Sequence, residues 1–256
     1  MKVVILAGGL RSTISSIDEG IPKPMVEVGG KPILWHIMKH FSQYGVSEFI
    51  VCGGYRVDII KEYFLDFYIY ESDITVDLLD NTVHIHKKRT EDWKVTVVDT
   101  GLGATPTDRI RAIEKYILDD RFIVTFGDSI SDVNVDLLVE KHELDKKLVT
   151  LVLAKPQGRK HLLAIGEDGA IDYEVLSPAV VDEAWVNADC FVMEKSVVDI
   201  MRDGGSLEED VFKPLSRSHQ LSSYRHEGFW RTVETKRDLI EVERLWEQGT
   251  APWIVD

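Results

Sequence analysis

The chain has 256 residues, a hydrophobic content of 44% and a formal net charge of −14 at pH 7. A chain of this length can bury a sizeable core, either in one large α/β domain or in two smaller ones. The negative charge argues against the basic face that non-specific binding to nucleic acid or to an anionic membrane requires, so we expect neither partner.

The number and positions of the cysteines indicate the redox environment in which the protein is expected to work. Cys52 and Cys190 are far apart and both lie in apolar runs, which indicates neither a disulfide framework nor a paired-cysteine metal site. The sequence opens without a basic leader, and its apolar runs end before membrane-spanning length. We therefore expect a protein of the reducing cytoplasm.

The first predicted elements form a βαβ unit. Residues 3–7 are a continuous apolar run that ends at a glycine pair, which is typical of a central strand buried on both faces. Apolar residues then repeat at helical spacing from Ile33 to Phe41, and residues 49–52 form a second apolar strand. Residues 58–67 favour another helix.

The middle of the chain mixes strand types. Residues 74–99 alternate between apolar and polar side chains, so we expect antiparallel strands laid over the sheet edge. Helices predicted at 109–118 and 134–143 flank a buried strand at 122–126, which delivers Asp128 at its C-terminal end. Later strands are predicted near residues 148–154, 163–165, 190–193 and 220–224.

These elements predict an α/β fold with a Rossmann-like, mixed and mostly parallel sheet and an added antiparallel strand segment. The chain shows no internal repeat and no linker long enough to separate two units, so we expect a single domain over residues 1–256. The hydrophobic, strand-rich segment 63–98 is the region through which we expect the chain to form a homo-oligomer.

Several motifs occur in a fixed order along the chain. A glycine pair after a first strand is a weak signal alone, because many tight turns need glycine. The motifs are Leu6-Ala7-Gly8-Gly9, Pro22-Lys23-Pro24-Met25, Gly29-Gly30-Lys31-Pro32-Ile33-Leu34, Trp93-Lys94-Val95-Thr96, Val98-Asp99-Thr100-Gly101, Ser131-Asp132-Val133-Asn134 and His226-Glu227-Gly228-Phe229-Trp230. In this order they resemble the sugar-phosphate nucleotidyltransferases, and among these the glucose-1-phosphate cytidylyltransferases, over nearly the whole chain.

The resemblance implies a fold of the nucleotide-diphospho-sugar transferase type and a set of site residues. The glycine loop of Leu6, Ala7, Gly8 and Gly9 would pass its backbone close to the base and phosphates, Lys23 would meet phosphate, and Asn187 would contact substrate. Asp128 and Glu234 match the family's two ligands for Mg²⁺ or Mn²⁺, although the second is usually aspartate. We expect no flavin and no NAD.

The chain departs from the family in its phosphate-binding motifs. A Gly-Thr-Arg step becomes Leu10-Arg11-Ser12-Thr13, so the triphosphate-clamping arginine is lost, with Arg11 one residue aside as a substitute charge. A Glu-Lys-Pro motif becomes Leu176-Ser177-Pro178, which removes one carboxylate and one cation. If each lost cation resembles an oxyanion donor, the parent reaction slows on the order of a thousandfold or more.

Two sugar-side motifs also differ. Arg-Phe-Gly-Ala becomes Arg159-Lys160-His161-Leu162, and Asn-Gly-Gly becomes Asn187-Ala188-Asp189. From these changes we expect a metal-dependent isomerase or mutase that converts a bound nucleoside diphosphate sugar between pyranose and furanose, with GDP-sugars among the candidates. Its catalytic residues would be Lys23, Asp128, His161, Asp189 and Arg231, with Asp189 or His161 as the base and His226 behind them.

Other interpretations stay open at this point. The chain is alternatively a diverged cytidylyltransferase-like nucleotidyltransferase, or a catalytically silent regulator that binds a nucleotide sugar. Arg231 and Asp189 fit an internal ion pair equally well, and His161 fits a hydrogen-bonded structural histidine. Glu234 also suits the start of a helix, where it complements the dipole. The sequence specifies neither the base nor the sugar.

Overall fold

A computed structural model describes residues 1–9, 20–87, 91–155, 164–165, 171–172 and 184–254. The strands are β1 (Val3–Ala7), β2 (Glu27–Val28), β3 (Lys31–Pro32), β4 (Glu48–Gly53), β5 (Asp73–Asp77), β6 (Thr82–Lys87), β7 (Lys94–Asp99), β8 (Arg121–Phe126), β9 (Ser129–Ser131), β10 (Val149–Ala154), β11 (Ala164–Ile165), β12 (Ile171–Asp172), β13 (Val186–Glu194), β14 (Leu221–His226) and β15 (Trp230–Thr232). The α-helices are α1 (Ile33–Ser42), α2 (Val57–Tyr70), α3 (Pro106–Ala112), α4 (Val135–Asp145), α5 (Lys213–Arg217) and α6 (Lys236–Glu247). Short 3₁₀ turns cover Lys23–Met25, Glu114–Tyr116 and Lys195–Ile200, and a π turn covers Leu207–Phe212.

A seven-stranded sheet with the order β14-β10-β13-β8-β1-β4-β7 is the centre of the fold. β1 is parallel to β4 and β8, and β4 is parallel to β7. β13 alone runs against its neighbours β8 and β10, while β10 and β14 are parallel. This mixed, mostly parallel sheet confirms the predicted α/β fold.

The predicted antiparallel segment is only partly correct. β5 and β6 form an antiparallel hairpin, but β7 lies in the main sheet parallel to β4. The expectation for residues 94–99 is therefore wrong. An alternating pattern reports one partly exposed face, and an edge strand of a parallel sheet has such a face as readily as a hairpin does.

The core lies on both faces of the sheet and explains the continuous apolar run of β1. Val3 and Ile5 pack into one cluster, whereas Val4 and Leu6 pack into the cluster on the opposite face. A central strand covered by helices on both sides has no solvated face, so it needs apolar residues at every position. No helix among the described residues is long and apolar enough to cross a lipid bilayer.

The β2–β3 hairpin gives the Gly29-Gly30 pair a structural role. Gly29 and Gly30 form its turn with φ values of +59° and +75°, a conformation that favours glycine. The backbone N–H of Gly29 donates to both carboxylate oxygens of Glu243 on α6, at 3.0 and 3.1 Å. The hairpin is thereby tied to the C-terminal helix.

Candidate functional site

A cleft of about 510 Å³ opens at the C-terminal ends of the neighbouring parallel strands β1 and β8. Its walls are residues 6–9, 22–24, 102–106, 109 and 126–128. Ligand sites of open α/β sheets lie at this end of the strands. The lining includes the predicted loop residues Leu6, Ala7, Gly8 and Gly9.

Lys23 is held at the cleft by a tight turn that packs against the end of β8. The N–H of Met25 donates to the carbonyl of Pro22 at 2.8 Å. A methyl group on Gly127 would approach Cγ of Pro24 to 2.9 Å, so glycine at this position lets the turn lie close to the strand end. The Lys23 Nζ atom then lies 3.3 Å from Oδ2 of Asp128.

Asp128 and Glu234 are brought together by pairing between β9 and β15. Thr232 pairs with Ser129, and the N–H of Val233 donates to the Asp128 carbonyl at 2.8 Å. Burial raises the pKa of Asp128, Lys23 opposes that rise, and the charge of Glu234 adds to it. The two carboxylates are therefore close enough to influence each other.

The donor set fits a divalent cation shared with a phosphorylated substrate. Among the described residues no group of three or more His, Cys, Asp or Glu side chains could hold a metal ion. Mg²⁺ is commonly held by one or two carboxylates plus substrate phosphates. Asp128 and Glu234 would provide two such ligands, with the remaining positions left to substrate and water, and their role as metal ligands stays a prediction.

Arg109 lies beneath Gly8 of the glycine loop, and the sequence analysis did not single it out as a site residue. It extends from α3, is 4% exposed, and donates to the carbonyls of Gly53, at 2.9 Å, and Gly8. It also donates to the hydroxyl of Thr100 at 2.5 Å. This guanidinium joins the ends of β1, β4 and β7, because those residues end or follow these strands.

The sequence offered one signal for Arg109. It stands beside the apolar residues Ile110 and Ile113, which are fully buried, and a charged residue on a buried helix face requires partners. The sequence spacing alone could not identify the hydrogen-bond partners of Arg109, since Gly8 is 101 positions away. Burial lowers the pKa of Arg109, although an arginine remains charged at neutral pH.

Asn187 and Asp189 lie on β13, next to the strand that delivers Asp128. Cys190 pairs with Thr125 of β8, which places both residues toward the C-terminal end of that strand. The N–H of Asp189 donates to Oδ1 of Asn187 at 3.1 Å, and the hydroxyl of Thr232 donates to Oδ2 of Asp189 at 3.3 Å. The structure thus brings Asp189 close to the β9–β15 pair.

Asp189 occupies an unusual backbone conformation. Its φ is +57°, in the left-handed region that glycine prefers and that aspartate tolerates better than most residues. The related family motif has glycine at this position. Glycine adopts this conformation without steric cost, so Asp189 stands where a glycine would be unstrained.

Arg231 faces α6. Its guanidinium lies 2.6 Å from Oε1 of Glu241 and 3.5 Å from Oδ1 of Asp238. The Nε atom is buried and has no hydrogen-bond partner among the described residues. The structure therefore shows the ion-pair arrangement for Arg231, and its catalytic role stays a prediction.

Arg11 and His161, together with the altered motifs at 10–13, 159–162 and 176–178, lie outside the described residues. His226 is described and buried. Its Nε2 atom lies 2.9 Å from Oδ1 of Asp132 and 3.0 Å from the carbonyl oxygen of Phe229. Both neighbours are acceptors, so Nε2 carries a proton and donates.

Comparison with known proteins gives consistent results. A profile of the nucleotidyl transferase family matches residues 2–249. A glucose-1-phosphate cytidylyltransferase of Salmonella typhimurium is 39% identical over 255 residues, which covers 99% of this chain and 98% of that protein.

Solved structures show the same fold. The crystal structure of HddC from Yersinia pseudotuberculosis matches with a TM-score of 0.74 at 20% identity, covering 96% of this chain and 99% of that one. The inositol-1-phosphate CTP transferase of T. maritima matches with a TM-score of 0.72 at 14% identity, covering 100% and 98%. At such low identity these likenesses show the fold alone.

The expectation of an isomerase or mutase is wrong. A relative 39% identical over almost its full length is a sugar-phosphate cytidylyltransferase. The expectation counted cations missing from two motifs outside the described residues, whereas Lys23 lies 3.3 Å from Asp128, and Val233, the neighbour of Glu234, donates its N–H to the Asp128 carbonyl. The base roles given to Asp189, His161 and His226 belonged to the isomerisation and are not retained.

Proposed function

The chain belongs to the nucleotidyl transferase family, and on that premise we propose that it transfers a nucleotidyl group to a sugar 1-phosphate. A phosphate oxygen of the sugar 1-phosphate attacks the α-phosphorus of a nucleoside triphosphate. The bond from that phosphorus to the bridging oxygen breaks, and pyrophosphate leaves with the electron pair. The observation that carries the proposal is the pair of Lys23 and Asp128 in a glycine-lined cleft, with Glu234 following Val233, whose N–H donates to the Asp128 carbonyl.

We further propose CTP and glucose 1-phosphate as the substrates. The support is the Salmonella typhimurium relative, a glucose-1-phosphate cytidylyltransferase that is 39% identical over almost the whole of both chains. Two of its family's phosphate motifs are altered here, at residues 10–13 and 176–178. A slower rate or a different sugar is compatible with those changes, so the assay includes other bases and hexose 1-phosphates.

Four residues at or near the cleft would have distinct physical tasks in this reaction. Lys23 neutralises phosphate charge, because its ammonium group lies at the cleft rim on a turn that Gly127 allows to pack closely. Arg109 holds the carbonyl of Gly8, and through it the path of the glycine turn. Asp128 and Glu234 would bind Mg²⁺ or Mn²⁺, which when bound offsets charge on the phosphate oxygens during transfer.

The test measures pyrophosphate release from each nucleoside triphosphate with each sugar 1-phosphate in Mg²⁺ or Mn²⁺. We expect release with CTP and glucose 1-phosphate, and formation of the matching nucleoside diphosphate sugar. Asp128→Asn and Lys23→Gln should each lower kcat/KM about a hundredfold or more, because each removes a charged group that acts on phosphate.

Glu143→Gln is the matched control, since this exposed carboxylate pairs with Arg121 at the opposite end of β8. It should leave turnover unchanged. Binding of a nucleotide sugar without pyrophosphate release under any metal condition would refute the proposal and support the regulatory interpretation.

The compartment is a separate proposal. Cys52 and Cys190 are both free and buried, which supports the expected reducing cytoplasm. Burial raises the pKa of each thiol to about 12, so neither is poised to react as a thiolate.

A further inference from the structure

Two buried histidines lie on the same side of α1, one helical turn apart. His36 and His40 are 0% and 5% exposed, and residues four positions apart are neighbours on the surface of a helix. Neither histidine lines the cleft. A buried polar side chain requires hydrogen-bond partners, so the partners show which parts of the chain each histidine holds.

His36 holds the β2–β3 hairpin, which follows the turn that carries Lys23. Nδ1 of His36 accepts a hydrogen bond from Nε1 of Trp253 at 3.2 Å, because an indole nitrogen can only donate. Burial lowers the pKa of His36, so the ring is neutral and its proton lies on Nε2. Nε2 donates to the carbonyl of Val28 on β2 at 2.8 Å. The same segment is tied to the turn, since the N–H of Val26 donates to the Lys23 carbonyl at 3.1 Å.

His40 holds the segment that follows Asp128. Its Nε2 atom lies 2.9 Å from the carbonyl oxygen of Val133, and its Nδ1 atom lies 3.3 Å from the carbonyl oxygen of Trp253. Burial lowers the pKa of His40, and a neutral ring has one N–H, which the shorter contact assigns to Nε2. Val133 lies just beyond β9, the strand that starts directly after Asp128.

Trp253 connects the two histidines to the segment that leads to Glu234. Its side chain is fully buried, and its ring centroid lies 5.3 Å from that of Phe229. The carbonyl of Phe229 accepts a hydrogen bond from the N–H of Asp132 at 3.0 Å. β15, which precedes Glu234, starts at the residue after Phe229.

Three segments that are distant in sequence therefore meet at one buried group of side chains, the histidine–tryptophan cluster of His36, His40 and Trp253. These segments are the ones that carry the proposed site residues Lys23, Asp128 and Glu234.

We propose that the histidine–tryptophan cluster positions these three site residues relative to one another from outside the cleft. Transfer between phosphates depends mostly on positioning and charge neutralisation, and the 3.3 Å separation of Lys23 from Asp128 joins two of the segments that the cluster holds. The role of the cluster in turnover rests on the proposed nucleotidyl transfer, whereas the physical coupling of the three segments does not.

The coupling is tested by hydrogen–deuterium exchange of the full chain, measured by mass spectrometry in peptides that cover residues 22–28, 128–133 and 229–234. Trp253→Phe keeps an aromatic ring but removes the hydrogen bond to His36. We expect exchange to become severalfold faster in all three peptides, because a buried support that they share is weakened. Faster exchange confined to α1 and residues 250–254 would overturn the proposal.

The positioning role is tested by turnover per folded molecule at saturating metal and substrates. His40→Phe removes the donor to the Val133 carbonyl and should lower kcat about tenfold, since a displacement of about 1 Å can cost up to a hundredfold in rate. His40→Gln places an N–H near the position of Nε2 and should restore most of the lost turnover.

His142→Phe is the matched control. His142 is also buried, but its ring nitrogens contact the Thr150 hydroxyl and the Glu194 carboxylate, at the end of β10 that lies away from the cleft. This variant should lose stability and keep its kcat. Equal losses of kcat in His40→Phe and His142→Phe, or no recovery in His40→Gln, would refute the positioning role. A wild type without turnover would refute the proposed function, and the exchange measurement would still decide the coupling.

Discussion

Gly8 and Gly9 stand side by side in the glycine turn but have different surroundings. A methyl group on Gly8 would overlap the guanidinium of Arg109, whereas one on Gly9 would meet no atom of the described residues within 4 Å. Arg109 is nearly fully buried and bonds three separate strand ends. The guanidinium would have to move to relieve the overlap, and a shift would weaken those hydrogen bonds.

We therefore predict that Gly8→Ala lowers the free energy of unfolding by about 2 kcal/mol or more, since hydrogen bonds to a charged group contribute about 1.5–3 kcal/mol. Gly9→Ala, the matched control, should change it by less than about 1 kcal/mol. Urea denaturation measures both values. Equal loss in the two variants would show that Arg109 does not constrain the turn.

His226 closes the turn that leads into β15. Its Nε2 atom lies 2.9 Å from Oδ1 of Asp132, the residue after β9, and donates to the Phe229 carbonyl. The N–H of Asp132 donates to that same carbonyl at 3.0 Å. Burial alone lowers the pKa of His226, but the bonds to Asp132 and Phe229 outweigh it, and the net pKa is raised above 6.5. His40 on α1 also faces this pair.

A raised pKa means that the folded state binds the proton more tightly than the unfolded state does. The interaction of protonated His226 with Asp132 and the Phe229 carbonyl therefore contributes its full stabilisation below pH 6.5. This stabilisation is lost as pH rises through the folded-state pKa. We predict that His226→Gln costs more free energy of unfolding below pH 6.5 than well above it. His219→Asn, at an exposed histidine, is the control. If His226→Gln lowered the free energy of unfolding equally at every pH, protonated His226 would not provide this stabilisation.

Motif order pointed to Lys23, Asp128 and Glu234 as candidate site residues, because the proline-flanked turn, the end of a buried strand and the C-terminal segment are each recognisable in the sequence. Arg109 could not be found in this way. Its partners become neighbours only when parallel strands align, and no local pattern encodes contacts across 101 positions.

At the scale of elements, α6 connects two parts of the site. Its N-terminus has a capping box in which Thr235 and Asp238 satisfy each other's backbone groups. Arg231 of β15 pairs with Asp238 and Glu241 on this helix, and Glu243 further along holds the Gly29 turn. The helix thus braces the strand that leads to Glu234 and the hairpin that follows Lys23.

We predict that Arg231→Gln raises the metal concentration needed for half-maximal activity severalfold, because β15 loses its fixed position on α6. At saturating metal kcat should recover to near wild type. A metal titration of pyrophosphate release measures this. A kcat that stays low at saturating metal would instead favour the catalytic role expected from the sequence.

Glu241→Gln removes the closest partner of Arg231 and provides the matched test. If the pair acts as one unit, the double variant should resemble either single variant. Additive effects would show that the two side chains act separately.

Hydrophobic periodicity in the sequence located most helices and strands, but it did not give every helix boundary or every strand pairing. The helix expected at 109–118 is α3, which starts earlier because Thr105 caps it through Asp108 and Pro106 occupies its first turn. β7 was given the wrong pairing because edge strands of either orientation alternate in polarity. Cap chemistry was readable in the sequence, whereas strand orientation depends on the path of α2 between β4 and β7.

For the whole molecule, the expected single domain over residues 1–256 stays a prediction, and β1 supplies the physical argument for it. Val3 and Ile5 belong to the cluster on one face of the sheet, and Val4 and Leu6 belong to the cluster on the other. Neither cluster can open without exposing residues of the same central strand, so the two cores should unfold together.

The chain's six tryptophans report tertiary structure independently of backbone dichroism, and we predict coincident denaturant transitions by both probes. Two separated transitions would show that the two faces of the sheet unfold as different units, and a concentration-dependent midpoint would show that assembly contributes to the measured stability.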